Sequence, residues 1–98
     1  MDLIYRQIVL AFEAMSDGDK SCLLHLVNMD GGQQLTTTDS PHNRFYECIA
    51  QLEWAKPAEM ETNLAEMGSF AIWELTEKGR KELPGFIAAV EAGRSGQN

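Results

Sequence analysis

The spacing of hydrophobic residues predicts helices in the first part of the chain. Between Leu3 and Met15, apolar residues recur every three or four positions, which is typical of an amphipathic helix. Ser16-Asp17-Gly18-Asp19 interrupts this pattern with residues that cap helices, and Asp30-Gly31-Gly32 ends a second helical pattern. The apolar side of this second helix carries Cys22, Leu23, Leu26 and Val27.

A loop and a third helix are predicted for the middle of the chain. The residues from Gln33 to Asp39 are polar and rich in threonine, so we expect a loop or at most one helical turn. Ser40-Pro41 then supplies a capping side chain and a proline at the first helical position, where its missing N–H is harmless. We expect this helix to run to about Lys56, before Pro57, with Phe45, Cys48, Ile49 and Leu52 on its apolar side.

Beyond Pro57 the hydrophobic period changes to two, which is typical of strands. Met60, Thr62 and Leu64 alternate with polar residues, residues 70–75 form a second alternating stretch, and the glycine within 65–68 suits a hairpin turn. Thr76 is positioned to cap a last helix, which Pro84-Gly85 should kink or split. The positions of this helix that we expect to be buried are Leu83, Phe86, Ile87 and Val90.

The length of 98 residues fits one domain, which we place at residues 1–92, followed by a disordered tail at 93–98. No stretch approaches the roughly 20 consecutive apolar residues of a membrane-spanning helix. Asp2 and Arg6 also interrupt the apolar run that a signal peptide would need. We therefore expect a cytoplasmic protein.

The order of these elements resembles a winged helix-turn-helix domain: three helices, a β-hairpin wing and a C-terminal helix. Ile72-Trp73-Glu74-Leu75-Thr76-Glu77-Lys78-Gly79-Arg80-Lys81 is similar to the strand-to-helix junction of the MarR and PadR families, and residues 49–56 resemble the end of a recognition helix. The resemblance covers about Gly18 to Leu83. It implies an α+β, mostly α fold with extra terminal helices, of the kind that often form dimers.

In such a domain, DNA would be contacted by the exposed side of the third helix. We expect that side to present His42, Asn43, Arg44, Tyr46, Glu47 and Gln51, and Asn, Arg and Gln can make paired hydrogen bonds to base edges. The corresponding hypothesis is a dimeric MarR/PadR-like transcriptional regulator that binds DNA.

Two departures from the family pattern favour a protein partner instead. The stretch from Leu35 to Lys56 is several residues too short for both helices of a helix-turn-helix. The wing carries Glu59, Glu61 and Glu66 with no basic residue, and the formal net charge is −7, so this surface would repel phosphate. The sequence favours a small regulator with an acidic wing that binds a basic, nucleic-acid-binding protein, as phage-type inhibitors of host complexes do.

Residues suited to catalysis or metal binding do not form a known pattern. Cys22, His25, His42 and Cys48 are zinc-type ligands, but their spacing matches no zinc signature, so we expect buried free thiols and no metal. The sequence lacks a phosphate-binding glycine loop and a nucleophile elbow, so we expect no enzymatic activity and no cofactor. Two questions stay open: whether Trp54 and Trp73 are core or interface residues, and whether the terminal helices form a homodimer.

Overall fold

The computed structural model describes residues 3–29, 31–58 and 70–95, with side chains described as far as 93. Within these ranges the chain is an α+β protein, mostly helical, with four helices and a three-stranded antiparallel sheet. The elements in chain order are α1 (Leu3–Ala14), α2 (Asp17–Val27), β1 (Gln33–Thr37), α3 (Pro41–Ala50), β2 (Ala55–Pro57), β3 (Phe70–Leu75) and α4 (Glu77–Ser95).

The sheet has the strand order β1-β3-β2, so β3 lies in the centre and pairs with both neighbours. Leu35 of β1 lies opposite Ile72, and Lys56 of β2 lies opposite Glu74. The loop predicted for 33–39 is therefore wrong over Gln33–Thr37, which forms an edge strand. Threonine favours strands, but this strand is completed by a partner more than thirty residues away, and local sequence does not carry that information.

The third helix ends earlier than predicted, at Ala50 rather than near Lys56. Glu53 adopts the left-handed conformation with φ of 64°, and the Trp54 N–H bonds back to the Ile49 carbonyl at 3.1 Å. This is the geometry of a Schellman helix terminus, which usually has glycine at the left-handed position. Because glutamate stands there instead, the sequence gives no signal for the stop. The residues beyond it form β2.

The predicted helix starts are confirmed by their capping bonds. The hydroxyl of Ser16 accepts a hydrogen bond from the Asp19 N–H, and that of Ser40 accepts one from the Asn43 N–H, both at 3.1 Å. Thr76 caps α4 through the Gly79 N–H at 2.9 Å. The strand predicted at 70–75 is confirmed as β3, whereas the strand at Met60, Thr62 and Leu64 and the turn at 65–68 lie outside the described residues.

The last helix packs against the rest of the chain. Its predicted positions Leu83, Phe86, Ile87 and Val90 are all buried. The Phe86 ring makes edge contacts with Tyr5, Phe12 and Trp54 at centroid distances of 5.5 to 6.1 Å. This face is therefore occupied within one chain. The largest fully buried side chains are Ile8, Phe12, Leu23, Phe45, Tyr46, Ile49 and Leu83.

Pro84 does not split the last helix, which runs as one element from Glu77 to Ser95. Leu83 and Phe86, on either side of the proline, are buried and hold it against the core. The predicted tail at 93–98 stays a prediction: the helix bounds extend to Ser95, and residues 96–98 lie outside the described part. Trp73 is a buried core residue, and Trp54 is half-buried against the core.

Candidate functional site

The third helix does not present the surface that the sequence predicts. His42, Asn43 and Tyr46 are buried, with exposed fractions of 5%, 4% and 0%, so the expectation that they are exposed is wrong. The reason is the position of α3, which packs against α1 on one side and the sheet on another. Of the six predicted surface residues, Arg44, Glu47 and Gln51 are exposed.

Asn43 is the centre of a hydrogen-bond network that joins α3 to the sheet. Its Oδ1 accepts bonds from Thr36 Oγ1 of β1 and Trp73 Nε1 of β3, both at 2.8 Å. Its Nδ2 donates to the Thr38 carbonyl at 3.1 Å and to Glu47 Oε1 at 2.6 Å. A buried amide with this many partners fixes the helix on the sheet, so Asn43 has a structural role here.

His42 and Tyr46 lie side by side in the same buried region. Their ring centroids are 5.1 Å apart, and Tyr46 stacks on Trp73 at 6.1 Å with nearly parallel rings. Burial lowers the pKa of His42, and the Asp19 carboxylate, 3.5 Å from Nδ1, opposes this only in part. Burial also raises the pKa of Tyr46 well above its usual range. Both side chains are therefore neutral near pH 7 and offer no charge to a ligand.

A groove with a volume of about 560 Å³ lies between α1, α3 and the loop before α3. We call it the α1/α3 groove. Two exposed leucines, Leu3 and Leu10, lie on the side of α1 that also carries Gln7 and Ala14, since positions 3, 7, 10 and 14 follow the helical repeat. The groove is lined by Gln7, Ala11 and Ala14 of α1, Thr38 to Pro41, Arg44, Glu47 and Cys48 of α3, and Gln51 directly after α3.

One arginine and two carboxylates line the α1/α3 groove, a formal charge of −1. Arg44 is the basic residue of α3, and the carboxylates of Asp39 and Glu47 belong to the same lining. Burial raises the pKa of the Cys48 thiol more than nearby Arg44 lowers it, so the thiol stays protonated and unreactive. The groove thus combines apolar side chains with a few charged groups, and its cysteine is a protonated thiol.

The other predicted sites have separate outcomes. Glu59, Glu61 and Glu66 of the acidic wing lie outside the described residues.

Cys48 is buried as expected, but Cys22 is exposed on α2, because it lies to one side of the buried positions Leu23 and Leu26. Over the described ranges, no three His, Cys, Asp or Glu side chains are placed to hold a metal ion, and no helix there is long and apolar enough to cross a membrane.

Comparison with known proteins gives no relative for this chain: no family model, no curated protein and no solved structure matches it. The chain is described by its own architecture, an α+β protein with helices packed on a three-stranded antiparallel sheet. Its function must therefore be argued from its exposed surfaces.

Proposed function

We propose that this chain is a non-enzymatic regulator that binds another protein, on a scaffold of winged-helix type. The observation that carries the proposal is the α1/α3 groove, with Leu3 and Leu10 beside it at 73% and 58% exposure. Exposed leucines next to a groove with mixed polar and apolar walls are typical of protein interfaces, where apolar contacts are surrounded by polar groups.

The positions of the α3 side chains argue against DNA as the main ligand. With His42, Asn43 and Tyr46 buried, α3 and its C-cap offer Arg44 and Gln51 for contacts to bases. One helix, Pro41–Ala50, connects β1 to β2, so this stretch has no second helix to support a recognition helix. Protein–DNA interfaces are polar and strongly basic, whereas this surface pairs a single arginine with carboxylates and leucines.

The overall charge favours a basic partner. A formal net charge of −7 attracts cationic surfaces over the Debye length and speeds their association. Glu59, Glu61 and Glu66 add acidic side chains in the segment between β2 and β3. The proposed partner is a basic, nucleic-acid-binding protein, and the proposed effect is inhibition by competition with its nucleic acid, as a phage-type inhibitor would act.

The alternative is a dimeric DNA-binding regulator of MarR/PadR type. It is favoured by one observation: Arg44 and Gln51 are both exposed and line the same groove. Under this alternative, Arg44→Ala combined with Gln51→Ala would weaken operator binding and leave the fold intact.

A matched pair of leucine variants tests the proposal. Leu10→Glu places a charge beside the α1/α3 groove, whereas Leu24→Glu makes the same change at a leucine on α2 that is 45% exposed. Partner capture from host lysate, quantified by mass spectrometry, should fall at least tenfold for Leu10→Glu and stay unchanged for Leu24→Glu. Equal capture by both variants would contradict binding at the groove.

A further inference from the structure

The two edges of the sheet differ in their protection against further strand pairing. On β2, Pro57 lacks a donor and Lys56 places a charged, 61% exposed side chain at the edge, and both residue types discourage pairing. On β1, Gln33–Thr37 contains no charged residue and no proline. Over the described residues, the sheet therefore protects the β2 edge with proline and charge and gives the β1 edge neither, although the Thr37 carbonyl at its end already accepts bonds from Ser40.

The backbone of β1 directs hydrogen-bonding groups away from the sheet at Leu35. The Ala58 N–H bonds to the Ile72 carbonyl at 2.8 Å, so the backbone groups of Ile72 face the β2 side. Leu35 lies opposite Ile72 in the β1/β3 ladder, and its own N–H and C=O therefore point to the open edge. Consistent with this, the carbonyl of Leu35 accepts a bond from the side-chain amide of Gln34 at 2.9 Å.

Apolar side chains lie next to the β1 edge on both faces of the sheet. Leu35 is 47% exposed on the face opposite the buried Thr36. On the other face, a notch of about 370 Å³ separates β1 from α2 and includes Cys22, Leu26 and Met29 in its lining. Because side chains of a strand alternate between faces, an added strand would meet Leu35 on one face and this notch on the other.

We propose that a second copy of this chain pairs with the edge, so that β1 meets β1 antiparallel about a two-fold axis at Leu35. The lack of charge at this edge supports this occupant, because two copies that each carry −7 meet with least repulsion where both surfaces are uncharged. β1 and the lining of the notch contain no Asp, Glu, Lys or Arg. A basic partner would gain no ionic contact at this edge.

The strand sequence fits its own copy in this register. Leu35 lies opposite Leu35 of the second copy and exchanges two backbone hydrogen bonds with it, while Gln33 lies opposite Thr37. No like charges meet in any of these pairs. The two sheets join into one of six strands.

Sedimentation equilibrium of the full chain tests the proposal first. A dimer is expected to form as concentration rises to about 1 mM, a range that covers weak association. Leu35→Lys places two like charges opposite each other and should give a monomer, whereas Leu24→Lys, at an exposed leucine on α2, should stay dimeric. A monomer throughout, or a dimer that Leu35→Lys leaves intact, overturns the proposal.

Disulfide trapping tests the register and decides the question if Leu35→Lys fails to fold. In a chain with Cys22→Ser, Leu35→Cys should form a covalent dimer with oxidised glutathione, because paired Cα atoms lie about 5.5 Å apart. Thr37→Cys should stay monomeric, because two copies of position 37 would be separated by about 13 Å along the strands. Equal cross-linking at both positions, or none at Leu35→Cys, contradicts the proposed register.

Discussion

The indole Nε1 of Trp73 donates a hydrogen bond to Oδ1 of Asn43 at 2.8 Å, deep between the sheet and α3. The same oxygen accepts a bond from Thr36 Oγ1, so one amide joins β1, β3 and α3. Asn43 was expected to contact a ligand at the surface, and it instead fixes the helix that carries Arg44 and is capped by Gln51. The orientation of the α1/α3 groove therefore depends on a buried polar contact.

Replacement of Asn43 by alanine should lower the free energy of unfolding by about 2–4 kcal/mol, because Trp73 Nε1 and Thr36 Oγ1 lose a buried acceptor. Asn28→Ala is a suitable control, since it removes one exposed bond to the Leu24 carbonyl and should cost about 1 kcal/mol or less. Urea unfolding followed by tryptophan fluorescence measures both. Equal losses for the two variants would show that the network adds no stability.

His42 should make the protein less stable in mild acid. Its pKa in the folded chain is lowered from 6.5, chiefly by burial, so below about pH 6.5 the unfolded chain takes up the proton first. The contribution of neutral His42 to the free energy of unfolding is complete above that pH, and it is lost as the pH falls towards the pKa of His42 in the folded chain. This one group changes the free energy of unfolding by at most about 1.4 kcal/mol per pH unit.

The measurement is the free energy of unfolding between about pH 7.5 and 5, by urea titration. His42→Gln should flatten the pH dependence over this range, and His25→Gln, at an exposed histidine on α2, should keep the slope of the original chain. The comparison uses slopes, so a general loss of stability in His42→Gln does not affect it. Identical slopes in all three proteins would refute the assignment to His42.

Two glycines of α4 should respond in opposite directions to alanine. A Cβ at Gly79 would overlap the backbone carbonyl of Trp54, so Gly79→Ala should cost about 3 kcal/mol. A Cβ at Gly85 meets no atom within 4 Å, so Gly85→Ala should raise stability by about 0.5–1 kcal/mol through higher helix propensity. Thermal unfolding monitored by circular dichroism distinguishes them. Stabilisation by Gly79→Ala would mean that α4 does not begin against the Trp54 turn.

The acidic segment between β2 and β3 should strengthen partner binding through charge. Replacement of Glu59, Glu61 and Glu66 by lysine changes the net charge by about six units and should lower the association rate for a basic partner at least tenfold. Surface plasmon resonance with the captured partner, at low and physiological salt, measures the rate. An unchanged rate at low salt would exclude a role for these three carboxylates.

Local signals account for the parts of the fold that were predicted correctly. The starts of α2, α3 and α4 follow from Ser16, Ser40 and Thr76, each of which bonds a backbone N–H three residues later. The buried face of α4 follows from the helical spacing of its apolar residues. These features depend on residues within one or two helical turns of each other, so the local sequence is enough to predict them.

The features that were missed depend on distant contacts or on unusual residues. β1 exists because β3 pairs with it, and α3 stops because Glu53 adopts a conformation that usually indicates glycine. His42 and Asn43 were placed at the surface because polar residues usually lie there, but His42 is buried beside the half-buried carboxylate of Asp19, and Asn43 bonds to the buried Trp73. The α1/α3 groove forms between helices far apart in sequence, so among its lining residues only Arg44, Glu47 and Gln51, on or directly after α3, were anticipated as a binding surface.

The central claim is that this chain binds a protein and not DNA. Its most direct test titrates the purified full chain against random-sequence and host-genomic duplex DNA at low and physiological salt, beside quantitative capture from host lysate. We predict no DNA binding even at low salt. We also predict that capture recovers one discrete protein, that Leu10→Glu abolishes this recovery, and that Leu24→Glu leaves it unchanged. DNA binding that weakens steeply with salt, persists on selected sequences and is lost in Arg44→Ala with Gln51→Ala would contradict the claim and establish the DNA-binding alternative.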